Sequence, residues 1–236
     1  MSAGRVADLS PATRSGPADR PDGSGAWPAD PVERAAAAAA AGLRRPVPPG
    51  TPAALAALVS GDRDPRVRAA ALGALARLPG PPADPWLRAA ADPDAPVRRR
   101  AADLAPVFAT RGLTVAPGLL VLLGDEDAAV AEAAAWALGE LGPEALAAGA
   151  VERLAEAAGS SGDPLVREAA VAALGALGDP GGLDAVLAAC ADKPAIRRRA
   201  VLALAAFDGP AVDAALRTAL ADKDWQTRQA AEDLLG

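Results

Sequence analysis

The feature that most limits the possible folds is a short motif that occurs six times along the chain. Each copy has a β-branched residue, followed in five of the six copies by Arg, and an Ala stands four positions later in every copy. The β-branched positions are Val67, Val97, Val130, Val166, Ile196 and Thr227, which gives steps of 30, 33, 36, 30 and 31 residues. Such a period indicates stacked units, each too short to bury its apolar face alone.

The motif has the periodicity of a helix. Apolar residues recur at positions 0, 4, 8 and 11 from the β-branched residue, and these offsets define one helical face. An Asp, often followed by Pro, precedes most copies as an N-cap, so we expect each motif to open the second helix of a helical hairpin. The first helices are predicted over residues 51–60, 83–91, 116–123, 143–158, 180–191 and 210–221.

Composition favours helices throughout. Hydrophobic residues make up 51% of the 236 residues, but aromatic residues only 3%, and Tyr is absent. Strand-forming residues are too few for a large sheet, whereas small apolar residues suit closely packed helices. We therefore predict an all-α fold, an α-solenoid of about six helical hairpins.

The chain divides into three segments. Residues 1–29 are rich in Pro, Gly, Ser and Asp without apolar periodicity, so we predict a disordered leader. Residues 30–50 hold a helix that begins at Asp30 and ends near Gly42, followed by a stiff Pro-rich linker. Residues 51–236 hold the repeats.

The repeat resembles a known family. The pattern Asp-x-Asp-x-x-Val-Arg, present at Asp62, Asp64 and Arg68 and followed by Ala, is similar to the HEAT-like repeat of the phycobilisome-lyase type. That resemblance implies a ladder of hydrogen bonds between the first acid and the arginine of successive repeats. Three positions depart from it: Ala131 replaces the arginine of the third repeat, and Ser161 and Ala191 replace the first acid of the fourth and fifth.

The sequence offers little for catalysis. The chain has no His, which removes the commonest general base and metal ligand, and its one Cys, Cys190, cannot form an internal disulfide. Phosphate-binding loops, dinucleotide fingerprints and the Gly-x-Ser-x-Gly motif are absent. The similar deoxyhypusine hydroxylases bind iron through His-Glu pairs, so that activity is excluded. We expect no catalytic residue, no cofactor and no metal.

The surface predicted to be concave carries the candidate binding residues. Positions 2, 6 and 10 after each β-branched residue point away from the packed face of the second helices. The candidates there are Asp103, Glu132, Trp136, Glu140, Glu168, Arg99 and Arg198. Trp136, with a glutamate one turn to either side, suits a cationic group of a protein or peptide. The alternative is that Trp136 packs on the next repeat while the glutamates are solvated. Arg99 and Arg198 are either anion contacts or solvated neighbours of ladder arginines.

Three functions remain open. We favour a non-catalytic protein-binding scaffold or adaptor. The resemblance also implies an assembly or maturation factor like the phycobilisome lyases, and, less favoured, a HEAT-like alkylpurine DNA glycosylase with Trp136 and Asp103 in its groove. The formal net charge of −6 argues against nucleic acid as the partner.

The remaining features carry minor expectations. Trp86 and Trp225 lie at helix starts and are expected to pack within their hairpins, whereas Trp27 in the leader is either unstructured or a short docking motif. Cys190 lies on the packed face of its helix, so we predict a buried thiol. No signal peptide or membrane span is recognisable, and the Arg-rich, Lys-poor composition suits a bacterial, cytoplasmic protein.

Overall fold

The chain is described by a computed structural model that covers residues 26–80 and 82–236. Over these residues the regular structure is helical, with fourteen α-helices, two short 3-10 turns and no strand. The α-solenoid predicted from the repeat is therefore confirmed. Of the predicted leader, residues 1–25 lie outside the described part of the chain.

The helices pair as hairpins along the chain. An N-terminal helix, α1 (Pro31–Ala41), precedes six hairpins. In chain order, the others are α2 (Thr51–Gly61), α3 (Pro65–Ala76), α4 (Ala83–Ala90), α5 (Ala95–Ala109), α6 (Ala116–Leu122), α7 (Ala128–Leu141), α8 (Pro143–Ala147), α9 (Ala150–Ser160), α10 (Pro164–Leu177), α11 (Leu183–Ala189), α12 (Pro194–Ala203), α13 (Pro210–Ala219) and α14 (Trp225–Leu235). The second helices of the hairpins are α3, α5, α7, α10, α12 and α14, as the motif predicts.

One predicted first helix is broken in two. The segment predicted as a single helix over 143–158 contains α8 and α9, because Gly149 has a left-handed backbone (φ +76°) that interrupts the helix. The extra helix brings Glu144 to the preceding repeat. Its Oε1 accepts hydrogen bonds from the backbone nitrogens of Val115, at 2.7 Å, and Ala116, at 3.0 Å, and so caps the start of α6.

The second helices form one layer, in which neighbours pack in chain order from α3 to α14, and α1 packs on α3 at one end. The regular spacing of Ala within the chain explains how closely they approach, since the six alanines four positions after the β-branched residues are all fully buried: Ala71, Ala101, Ala134, Ala170, Ala200 and Ala231. Glycine serves the same purpose further along these helices. A Cβ on Gly175 would lie 2.6 Å from the Cβ of Ala203.

A ladder of ion pairs joins successive repeats, as the resemblance implies. In each rung the Nε and Nη2 of one arginine donate to the two carboxylate oxygens of an aspartate in the next repeat, at 2.6 to 3.2 Å. The pairs are Arg34–Asp62, Arg68–Asp92, Arg98–Asp125, Arg167–Asp192 and Arg197–Asp222. Bidentate pairs of this kind combine charge with a fixed geometry and so set the register of the stack.

The ladder corrects one expectation from the sequence. The fifth repeat has Ala191 where the first acid was expected, but the next residue, Asp192, supplies the carboxylate for Arg167. Among the described repeats, the rung is missing only between the third and the fourth, where Ala131 stands in place of the arginine and Ser161 in place of the acid. Both partners of that rung are absent, so neither leaves an unpaired buried charge.

Candidate functional site

The candidate site is a cleft of about 250 Å³ between α5 and α7. We call it the Trp136 cleft; its polar and aromatic lining consists of Arg99, Asp103, Glu132, Trp136 and Glu140. Helical periodicity explains the grouping, because the α7 residues are four positions apart and the α5 residues are also four apart, which places each set on one face. Five of the seven candidate residues are therefore brought together.

Trp136 lies partly in solvent, with 40% of its surface exposed. The guanidinium carbon of Arg199, on α12, lies 5.4 Å from the centroid of the indole ring. Arg199 in turn pairs with Glu168 of α10 at 3.3 Å. The ring of Trp136 therefore already contacts one cation of the chain itself, that of Arg199 in a later repeat. The Trp136 cleft lies on the other side of α7, toward α5 of the preceding repeat.

The charges in the cleft are unequal. Three carboxylates, those of Asp103, Glu132 and Glu140, face one guanidinium, that of Arg99. Within the described residues these four side chains make no ion pair with one another or with other groups, so their charges are not neutralised locally. The cleft is therefore suited to a cationic group that is attracted by the carboxylates and contacts an aromatic ring.

Two predicted site residues lie elsewhere. Arg198 donates from Nη1 to Oε1 of Gln226 on α14, so it does not reach the cleft. Glu168 pairs with Arg199 and is not among the residues that line the cleft. Arg199 itself was missed from the sequence, where it reads as a solvated neighbour of the ladder arginine Arg197. Its contact with Trp136 depends on the rotation between repeats, which the repeat pattern does not encode.

The other tryptophans differ in their environments. Trp86 is fully buried and donates from Nε1 to the Ala101 carbonyl at 2.9 Å, as expected of a residue that packs within its hairpin. Trp27 is buried in the core, at 7% exposure, and is therefore not an accessible docking motif. Trp225 was expected to pack within its hairpin, and that expectation is wrong, because 64% of its surface is exposed at the start of α14.

The single cysteine is partly buried. The thiol of Cys190 donates to the Val186 carbonyl at 3.5 Å, and burial raises the pKa of the thiol to about 11. A thiol with so high a pKa is a poor nucleophile at neutral pH.

Three of the ladder carboxylates have pKa values that are shifted by their arginine partners. Hydrogen bonds from Arg98, Arg167 and Arg197 hold the pKa values of Asp125, Asp192 and Asp222, respectively, below the usual range of an aspartate. These shifts result from pairing between repeats and not from a catalytic arrangement. Within residues 26–80 and 82–236, no group of three or more acidic or cysteine side chains is arranged to hold a metal ion.

Sequence comparison identifies the repeat. The family model for HEAT repeats matches residues 28–105, 115–195 and 151–236. No curated protein sequence is similar enough to the chain to count as a match. Among the helices of the described part, none has the length and apolar character needed to cross a membrane.

Solved structures show the same architecture. The Escherichia coli protein YibA is similar over 88% of this chain and 77% of its own, with 18% identity and a TM-score of 0.67. An engineered protein is similar over 86% of this chain and 73% of its own, with 20% identity and a TM-score of 0.53. A second engineered protein covers 88% of this chain and 93% of its own, with 20% identity and a TM-score of 0.51. At these identities the similarity concerns the fold alone.

Proposed function

We propose that this chain, which belongs to the HEAT repeat family, is a non-catalytic scaffold that binds a basic segment of a partner protein in the Trp136 cleft. The observation that carries this proposal is the grouping of three unpaired carboxylates around a half-exposed indole ring. Stacked helices hold these side chains in place before binding, so the solenoid loses little conformational entropy when a partner binds.

The arrangement favours a cationic side chain over an anion. A Lys or Arg entering the cleft gains attraction from Asp103, Glu132 and Glu140 and contact with the ring of Trp136. Arg99 stands at the α5 wall and orients the incoming group away from itself by repulsion. Arg199 packs on the ring of Trp136, and because it is paired with Glu168 it adds no net charge.

The test is selection from a displayed peptide library on the full chain and on two variants. The cleft variant carries Trp136→Ala, Glu132→Arg and Glu140→Arg. The matched control carries Glu152→Arg and Asp213→Arg, two exposed acids on the first helices, and so has the same change of charge outside the cleft. Circular dichroism first establishes that both variants fold.

We expect the full chain and the control variant to select peptides rich in Lys and Arg, and the cleft variant to bind them at least about tenfold more weakly by calorimetry. Equal affinity of the cleft variant for the same peptides would disprove the proposal. Duplex DNA at low salt is the comparison ligand for the glycosylase hypothesis, because Trp136 and Asp103 line the same cleft. Salt-sensitive DNA binding that exceeds peptide binding would replace the scaffold with that hypothesis.

A further inference from the structure

The missing rung between the third and the fourth repeats coincides with a second cleft. This junction cleft has a volume of about 380 Å³ and is lined by both of the residues that replace the rung, Ala131 and Ser161. Its volume lies within the range of small-ligand sites, about 300 to 1,000 Å³. The position that an arginine side chain occupies at the other junctions is therefore open to solvent here.

The occupied rungs show which contacts that position offers. At each of them the arginine Nη1 also donates to a carbonyl of its own loop, as in Arg98 to Asp92 at 2.9 Å and Arg167 to Ser161 at 2.8 Å. In the third repeat the equivalent carbonyl is that of Asp125, and within the described residues it accepts no hydrogen bond. The acceptor remains although its usual donor is gone.

The second acceptor of the rung is also present in altered form. Ser161 stands where the aspartate would be, and its Oγ accepts one bond, from the Asp163 nitrogen at 3.3 Å. A hydroxyl oxygen has two acceptor lone pairs, so it can accept a further bond. Asp125 and Ser161, which carry these two acceptors, both line the cleft.

Charge and apolar surface complete the site. Four carboxylates line the cleft, those of Asp125, Glu126, Glu156 and Asp163. Asp125 is already paired with Arg98, at 2.7 Å, and Glu156 with Arg153, at 2.8 Å, so the carboxylates of Glu126 and Asp163 are the two without an ion pair within the described residues. The floor is apolar, formed by side chains that include Ala131, Ala157 and Val166. A ligand that matches the cleft has an apolar stem and a cationic head with several donors, which describes the arginine side chain.

We propose that the junction cleft binds an arginine side chain of a partner protein, in the place of the rung that the chain lacks. The stem lies on Ala131 and Val166, and the planar guanidinium donates to the Asp125 carbonyl and to Ser161 while the carboxylates of Glu126 and Asp163 balance its charge. Arginine is favoured over lysine because its fork of donors reaches two separated acceptors at once. This site is separate from the Trp136 cleft and does not depend on the proposed function.

The experiment uses the ¹⁵N-labelled full chain and N-acetyl-arginine amide as the probe. Gly124 and Gly162 both line the cleft, on its two sides, so their backbone amides report occupancy by NMR chemical shift. The lysine and citrulline analogues test for the guanidinium, since citrulline keeps the shape and loses the charge. The variant Ala131→Arg with Ser161→Asp restores the rung from within the chain and fills the cleft.

We expect saturable shifts of Gly124 and Gly162 with the arginine derivative, at least about tenfold weaker binding of the citrulline derivative, and weaker binding of lysine. In the restored-rung variant the response of Gly124 is lost. Ala131→Met, which fills the floor with a flexible apolar side chain, gives the same loss and covers the case in which the double variant fails to fold.

Three results would overturn the proposal. The first is an unchanged titration in both filled variants, which would mean that the cleft is not occupied. The second is equal binding of the arginine and citrulline derivatives, which would show that the cleft does not recognise the positive charge. The third is equal binding of the lysine derivative, which would show that it does not recognise the guanidinium group. Trp136→Ala is the control, and it leaves the shifts of Gly124 and Gly162 intact because it alters only the other cleft.

Discussion

The guanidinium of Arg68 donates to both carboxylate oxygens of Asp92, each at 2.7 Å, across the boundary between the first and the second repeats. Both residues are buried, with 8% and 7% of their surfaces exposed. The pair therefore joins two repeats through charges that water does not screen well.

Removal of Arg68 leaves a buried carboxylate without its partner. We expect Arg68→Met to lower the free energy of unfolding by about 3 kcal/mol, because the uncompensated charge of Asp92 stays in the interior. Arg66→Met is the matched control two residues away, since the Arg66 side chain is 62% exposed and its pair with Asp64 is screened by water. Urea denaturation measures the free energy of unfolding of both variants. Equal losses in the two variants would show that burial of the rung is unimportant.

Stability is expected to decrease in acid. Pairing with arginine holds the folded-state pKa values of Asp125, Asp192 and Asp222 below the unfolded value of about 3.9, so their contribution is complete above that pH and is lost as the pH falls through the folded pKa. We expect the free energy of unfolding to fall below about pH 4 and to change little between pH 6 and 8, because the chain has no His.

A neutral rung tests the cause of this acid sensitivity. The variant Arg98→Met with Asp125→Asn removes one titrating pair while it keeps the volume of the side chains similar. Its stability is expected to fall less steeply between pH 5 and 3, about the range in which a paired carboxylate loses its contribution. An identical slope in the variant and the wild type would place the acid sensitivity outside the ladder.

Two helical glycines differ in the space around them. A Cβ on Gly118, in α6, would lie 2.7 Å from Cη2 of the fully buried Trp86, whereas a Cβ on Gly159, in α9, would have no neighbour within 4 Å. We expect Gly118→Ala to destabilise by about 1–3 kcal/mol through overpacking and Gly159→Ala to stabilise by up to about 1 kcal/mol through helix propensity. Thermal unfolding of the two variants separates these effects, and a stabilising Gly118→Ala would contradict the packing of Trp86.

The thiol of Cys190 is expected to react slowly in the folded protein. Its pKa is raised to about 11 by burial, so at pH 8 the thiolate is a much smaller fraction than in an exposed cysteine of pKa about 8.5. We expect the reaction with Ellman's reagent at pH 8 to be at least about tenfold slower in the native chain than after denaturation in guanidinium chloride. Comparable rates would show that the thiol is accessible and ionises normally.

The sequence predicts the helical hairpins well because each repeat contains its own signals. The Asp N-cap, the buried alanine and the Val-Arg pair lie within one hairpin, so their roles follow from local spacing. Asp64, for example, accepts a bond from the Arg66 nitrogen at 2.9 Å and caps α3 as expected. The grouping of Trp136 with Asp103 also follows from helical spacing and the stacking order.

Other features depend on how one repeat is rotated against the next, and the sequence did not predict them. Arg199 of α12 contacts Trp136 of α7, two repeats earlier in the stack. Asp192 supplies the carboxylate that was expected at position 191, and Glu144 caps a helix of the preceding repeat. Each contact joins residues about 25 to 65 positions apart. The spacing of apolar residues describes one helix at a time, so it does not predict which residues of different repeats meet.

The close packing of α7 on α10 has a consequence for how the stack comes apart. A Cβ on Gly139 would lie only 3.0 Å from the Cα of Ala173, so these two helices are held in register by shape at the one junction that lacks a charged rung. Shape complementarity responds neither to protonation nor to charge screening. We therefore expect acid or salt to weaken the junctions that have rungs and to leave the packing of α7 on α10 unchanged.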